Sequence, residues 1–87
     1  MNDQIEQTIF NDLSNLEKAL TEDPTGDRAR AMVAYFGEVA RESALMLNTT
    51  QVEGERQLVT QLIEAFYASQ RVIRKVWEAL HGNALAV

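Results

Sequence analysis

The sequence has no cysteine, one proline, one histidine and one tryptophan, and no apolar run of bilayer length. Each scarcity removes a class of explanation. Without cysteine there is no disulfide framework and no thiolate metal site, which fits a reducing compartment. His81 stands alone, so there is no His pair for a metal and nothing obvious to orient it as a general base. Glycines at 26, 37, 54 and 82 are too scattered to form a phosphate-binding loop, and the nucleophile-elbow and calcium-loop patterns are missing too. No stretch approaches the roughly 20 apolar residues that a membrane helix needs. The start, Met1-Asn2-Asp3-Gln4, lacks the basic and apolar segments of a signal peptide. The expectation is a soluble cytoplasmic protein, not an enzyme, with no cofactor and no metal. At 87 residues it forms one domain, small enough that a partner would add appreciably to its stability.

Basic charge is also scarce where nucleic acid would need it. Up to residue 27 seven acids face Lys18 alone, a net of −6; from Arg28 onward seven bases face six acids, a net of +1, and the two sums give −5. An acidic first third argues against nucleic-acid binding. It reads as a solvated helix face that keeps an apolar chain soluble. Arg71, Arg74 and Lys75 make the one basic cluster, without aromatic interleaving and in the half of a helix that favours cations. A polar face of mixed sign is also a poor match to an interfacial membrane helix.

Three helical segments and no strand emerge from the periodicity, giving an all-α chain with helices over about 2–20, 27–47 and 50–81. In the first, Ile5, Ile9, Leu13, Leu16 and Leu20 fall on one stripe, with Phe10 beside it. Thr21 to Asp27, containing Pro24 and Gly26, reads as a loop. Asp27 is a plausible cap for the second segment. There Met32, Phe36, Val39, Ser43 and Met46 make one stripe, and Val33, Gly37, Ala40 and Ala44 a stripe of small residues suited to close helix approach. The third segment opens on Thr50-Gln51-Val52-Glu53, the spacing of a capping box, and stops at Gly82. Leu58, Leu62, Phe66, Ile73, Val76 and Leu80 run along it, flanked by Val59, Ile63, Val72 and Trp77. The short 48–50 connection folds the second and third helices into an antiparallel hairpin, with the first laid against it as a three-helix bundle. Heptad-like spacings suit shallow, coiled-coil-like crossings. His81, in a last helical turn, suits the exposed carbonyls there. The tail Asn83-Ala84-Leu85-Ala86-Val87 either frays or docks.

The remaining signal is apolar surface. A bundle this small has difficulty burying Tyr35, Phe36, Phe66, Tyr67 and Trp77 together with three methionines. Phe66, Tyr67 and Trp77 are the candidate exposed anchors.

The stretch Leu62-Ile63-Glu64-Ala65-Phe66, then Val72-Ile73, Val76-Trp77, His81 and Ala84-Leu85-Ala86-Val87 resembles the small helical co-chaperones of bacterial type III secretion needle subunits, the EscE/YscE/SsaE-like family. The resemblance spans about the last 30 residues. It implies a non-enzymatic helical hairpin that binds a larger helical-repeat chaperone and, with it, keeps the needle subunit unpolymerised before export. The implied contact positions are Leu62, Phe66, Val72, Ile73, Val76 and Trp77, with Leu80 on the same face. The acidic segment before Pro24 is additional to that family's pattern. Two other readings stand beside it. One is a homodimeric structural or regulatory bundle whose apolar surface pairs with itself; the other, disfavoured by charge, is a DNA-associated regulator using Arg71, Arg74 and Lys75.

Overall fold

The structure is a computed structural model describing residues 3–86, apart from the side chains at positions 3 and 5. Four helices follow one another: α1 (Asp3–Ser14), α2 (Leu16–Thr21), α3 (Asp27–Met46) and α4 (Glu53–His81). No strand occurs among the described residues. The fold is therefore all-α, as expected, and α3 and α4 form the hairpin on which the shorter helices lie. The expected start at Asn2, the Ile5 side chain and Val87 lie outside the described residues. The longest extent is 44 Å, about the length of the 29-residue α4 at 1.5 Å per residue. The radius of gyration is 14.5 Å, against about 12 Å for a compact chain of this length. The molecule is a rod, and a rod leaves more helix flank uncovered than a ball does.

The first segment is not one helix. Asn15 leaves helical geometry at φ −130° and ψ 52°. Its amide still donates to the Asp12 carbonyl and its carbonyl accepts from Ala19. The Ser14 hydroxyl donates back to the Phe10 carbonyl, a local competitor of the helical ladder. The break changes what each half can reach. α1 lies across α3, where Phe10 meets Tyr35 edge-on at 5.9 Å. α2 wedges against α4 as well as α3, whereas α1 makes no close backbone approach to α4. Burial first, and the charges of Glu6 and Glu42 after it, push the Tyr35 hydroxyl above the ordinary tyrosine range.

The core sits at the open end of the hairpin. Ala19 and Leu20 from α2, Ala29, Met32 and Val33 from α3, and Ile73 and Trp77 from α4 bury together, and Leu85 joins them from the tail. Tail docking resolves the open alternative in the sequence. The Leu85 amide donates to Glu78, Arg30 donates to the Ala86 carbonyl, and Leu85 packs where Gly26 turns into α3.

Two expected caps fall elsewhere. Asp27 is the first residue of α3, not its cap; Gly26 holds the cap position in left-handed geometry. The side chain that serves the orphan amides is Asp23, which accepts from Arg28 at 3.1 Å and Ala29 at 2.9 Å. Asp27 instead pairs with Arg30, whose hydrogen bond, followed by one from Thr25, holds its carboxyl below the usual range. Thr50 likewise does not cap α4, whose first residue is Glu53 and which has no side-chain cap. Its hydroxyl donates to the Met46 carbonyl and so closes α3. Arg56 reaches back to the Leu47 and Thr50 carbonyls and fixes the connection. The end at Gly82, with φ 71°, is where the sequence places it.

Gly26 carries a testable burden. Its φ is +81°, and a Cβ there would sit 2.7 Å from Leu85 Cδ1. Gly26→Ala is expected to destabilise the chain by about 1–3 kcal/mol, read as a lower midpoint in thermal denaturation. An unchanged midpoint would show that the tail yields without cost.

Candidate functional site

The seven α4 positions assigned to a partner separate into three groups. Ile73 and Trp77 are 2% and 4% exposed, inside the chain's own core. Trp77 is therefore not the exposed anchor that the sequence suggests. Trp77 donates its indole N–H to the Asp23 carbonyl at 2.8 Å and stacks on His81 with ring centres 4.6 Å apart. Periodicity could not reveal this, because the acceptor lies 54 residues earlier in the chain. Phe66 and Val76 are half-buried, Phe66 stacking on Phe36 at 6.3 Å. Leu62, Val72 and Leu80 are exposed at 43%, 52% and 41%. Tyr67 is exposed as well.

Leu62, Val72 and Leu80 belong to one continuous flank, and Tyr67 lies on the other side of the helix. Leu58, Leu62, Ala65, Ser69, Val72 and Val76 succeed one another at spacings of four and three, the seam of a helix that packs along another. Leu58 is 57% exposed. The core stripe of Val59, Ile73 and Trp77 runs beside this seam and faces inward. The seam therefore has no neighbour of its own along much of α4, a direct consequence of α1 lying across α3. At mid-length it opens into an apolar groove of about 260 Å3, walled by Leu13, Leu16, Phe36, Ala68, Val72 and Ile73. Beyond the reach of α2, at the closed end of the hairpin, Leu45, Met46 and Val52 are also exposed.

The stripe of small residues has a different fate. Val33 and Ala40 are buried, and Gln70 of α4 comes so close to Gly37 that a Cβ there would lie 2.9 Å from its amide nitrogen. That amide donates to the Val33 carbonyl at 2.7 Å. Val33, Gly37 and Ala40 thus serve the hairpin itself, while Ala44 at the end of the stripe is exposed.

Polar groups are tied to the fold. His81 Nε2 meets the Leu20 carbonyl at 2.6 Å, so that nitrogen carries the proton. The histidine is structural, but it satisfies the end of α2 and not its own helix. Asp12, Glu22 and the Ala19 carbonyl engage Arg28, a residue to which the sequence had assigned no role. Among the described residues no group of histidines and acids converges as a metal site, and no helix is long and apolar enough to cross a membrane. Arg71, Arg74 and Lys75 line a shallow surface depression with Glu78, without an aromatic side chain. Among the described residues, the apolar seam of α4 with its groove is the continuous feature that offers a contact of helical length.

The family described as type III secretion system regulatory protein HrpD6 matches residues 2–79. That match is to a secretion-associated regulatory family, and not to the needle co-chaperones that the last part of the chain resembles. No curated protein and no solved structure matches the chain.

Proposed function

The chain belongs to the HrpD6 family of type III secretion system regulatory proteins, and from that premise we propose that it is a non-enzymatic adaptor acting in the bacterial cytoplasm. It binds protein partners of the secretion apparatus through the exposed seam of α4 and the adjoining groove. The contact residues are Leu58, Leu62, Val72 and Leu80, with half-buried Phe66 and Val76 at the margin; Ile73 and Trp77 support them from behind. The partner is an amphipathic helix, since only a helix presents apolar side chains at the matching period of four and three. A needle subunit held with a helical-repeat chaperone meets that requirement, and is the finer form of the proposal.

The observation that carries this reading is the exposure of four large aliphatic side chains on one helix flank of a chain whose core is otherwise complete. Fully burying such a side chain stabilises by roughly 1.5–3 kcal/mol, so covering the seam is a strong driving force. The mechanism is mass action: a partner helix bound here is withdrawn from the free pool, and no nucleotide or metal is required.

Leu62→Asp with Val72→Asp tests it. Both side chains project from the exposed flank, so the double variant is expected to keep the helical circular dichroism of the parent. It is expected to lose capture of secretion-apparatus proteins by more than about tenfold, because two carboxylates would be desolvated on binding. Equal capture by parent and variant would remove the seam as the docking face. Aspartate at Ile73 would not make this test, since that residue is core and a buried carboxylate there is expected to unfold the chain.

A further inference from the structure

We propose that the slot between the Gly26 turn, Arg30 and Trp77 is a recognition site for an extended, leucine-bearing segment. Residues 83–86 of this chain are its resident ligand, a strap that opens while the helices stay folded. The inference goes beyond the adaptor reading and does not rest on the α4 seam.

The strap is held by what any extended chain carries. Leu85 is 4% exposed, although Ala84 and Ala86 on either side of it are exposed. Its side chain joins the core cluster by passing over Gly26. A Cβ on that residue would lie 2.7 Å from Leu85 Cδ1 and 3.4 Å from the Trp77 ring, so glycine is what leaves the space. Glu78 accepts the Leu85 amide at 2.9 Å, and Arg30 donates to the Ala86 carbonyl at 3.4 Å. One carboxylate for an N–H, one guanidinium for a carbonyl and one apolar socket between them read a backbone and a leucine. Grooves that bind extended peptides divide their work in this way, with main-chain hydrogen bonds for affinity and a side-chain pocket for specificity.

The slot is built by contacts in which the strap has no part. Trp77 is fixed by the Asp23 carbonyl and by the His81 ring. Arg30 is fixed by the Thr25 carbonyl at 3.0 Å and by Asp27. The Gly26 amide donates to the Asp23 carbonyl at 3.1 Å. A site shaped in advance loses little to its own ordering when it is filled. The strap is the opposite case. Closing it orders four residues outside any helix, and the return is one buried leucine and two hydrogen bonds at the rim. Cost and gain are of similar size. A segment with so few contacts opens ahead of global unfolding, and what it uncovers is a socket with its polar partners already in place.

Nuclear magnetic resonance on the full chain tests this, because the single tryptophan gives one indole N–H signal. In the parent, the Leu85 amide is expected to exchange with solvent at least about a hundredfold faster than the Ile73 amide. Leu85→Ser is expected to keep the dispersed signals of the α3–α4 core and to shift those of Trp77 and Gly26. The sequence of residues 82–86, added to that variant as a capped peptide, is expected to return both signals toward their parental positions. Half of the effect should fall at roughly millimolar peptide, the effective concentration of a short tether. The parent, whose own strap competes, should need about tenfold more, and the peptide with serine in place of leucine should move nothing. Leu85 exchanging at the rate of Ile73 overturns the proposal. So does a Leu85→Ser chain that loses its folded spectrum, since the tail would then belong to the cooperative core. A folded Leu85→Ser chain that ignores the leucine peptide, or answers the serine peptide equally, overturns it too. None of these readings involves the seam or a client, so they succeed or fail separately from the capture experiment.

Discussion

Trp77→Ala is expected to lower the unfolding free energy by about 3–5 kcal/mol, the range for removing a large buried aromatic ring. The side chain is almost wholly enclosed and joins three parts of the chain that are far apart in sequence. Its N–H satisfies the Asp23 carbonyl, one face stacks on His81, and its edge lies near the Gly26 turn on which Leu85 rests. Asp23 in turn supplies the acceptors for the first amides of α3. Emptying this position loses apolar contact and also removes one of the two donors to the Asp23 carbonyl, the other being the Gly26 amide. A domain of this size has about 5–15 kcal/mol in total, so the variant should be largely unfolded near physiological temperature. Urea denaturation followed by circular dichroism is the appropriate measurement, because the only tryptophan is gone. Trp77→Phe keeps much of the ring and forfeits the hydrogen bond, with an expected cost of about 1–3 kcal/mol. If Trp77→Ala unfolded at the parental urea concentration, the residue would return to the role its sequence position first suggests, an anchor for a partner.

The second large effect separates the two short helices. Leu20→Ala is expected to cost about 2–5 kcal/mol, because Leu20 is completely buried in α2 at the centre of the core. Phe10→Ala, only half-covered and touching Tyr35 edge-on, should cost about 0.5–1.5 kcal/mol. Equilibrium unfolding of the two variants side by side gives the comparison. Comparable losses would mean that α1 and α2 dock as one unit and that the break at Asn15 has no mechanical consequence. The contrast bears on function, because the uncovered seam exists only if α1 turns away from α4 while α2 stays on it.

How much of this was legible in the residues follows from range. The hairpin was readable because Val33, Gly37, Ala40 and the α4 stripe recur at helical spacing and Gly82 stops the last helix. The break at Asn15 was not, since Ile9, Leu13, Leu16 and Leu20 keep an unbroken period through it; the geometry changes where the apolar pattern does not. The caps were misassigned for a related reason. Thr50 can accept from the helix that follows or donate to the one before, and spacing alone does not choose between them. Asp23, four residues ahead of Asp27, was hidden in the loop by Pro24. The site divided along the same line. Periodicity found the apolar side of α4 but not its internal boundary, which is set by where α2 lies. Ile73 and Trp77 thus fell to the core, while Leu62, Val72 and Leu80 stayed outside.

Paired affinity capture from cells that express the secretion system, using the parent chain and the Leu62→Asp, Val72→Asp double variant with mass-spectrometric readout, tests the central claim most directly. Proteins of the apparatus recovered with the parent and lost with the equally helical variant are the expected result. The same proteins on both, in the same amounts, would contradict the assignment of this flank to partner binding.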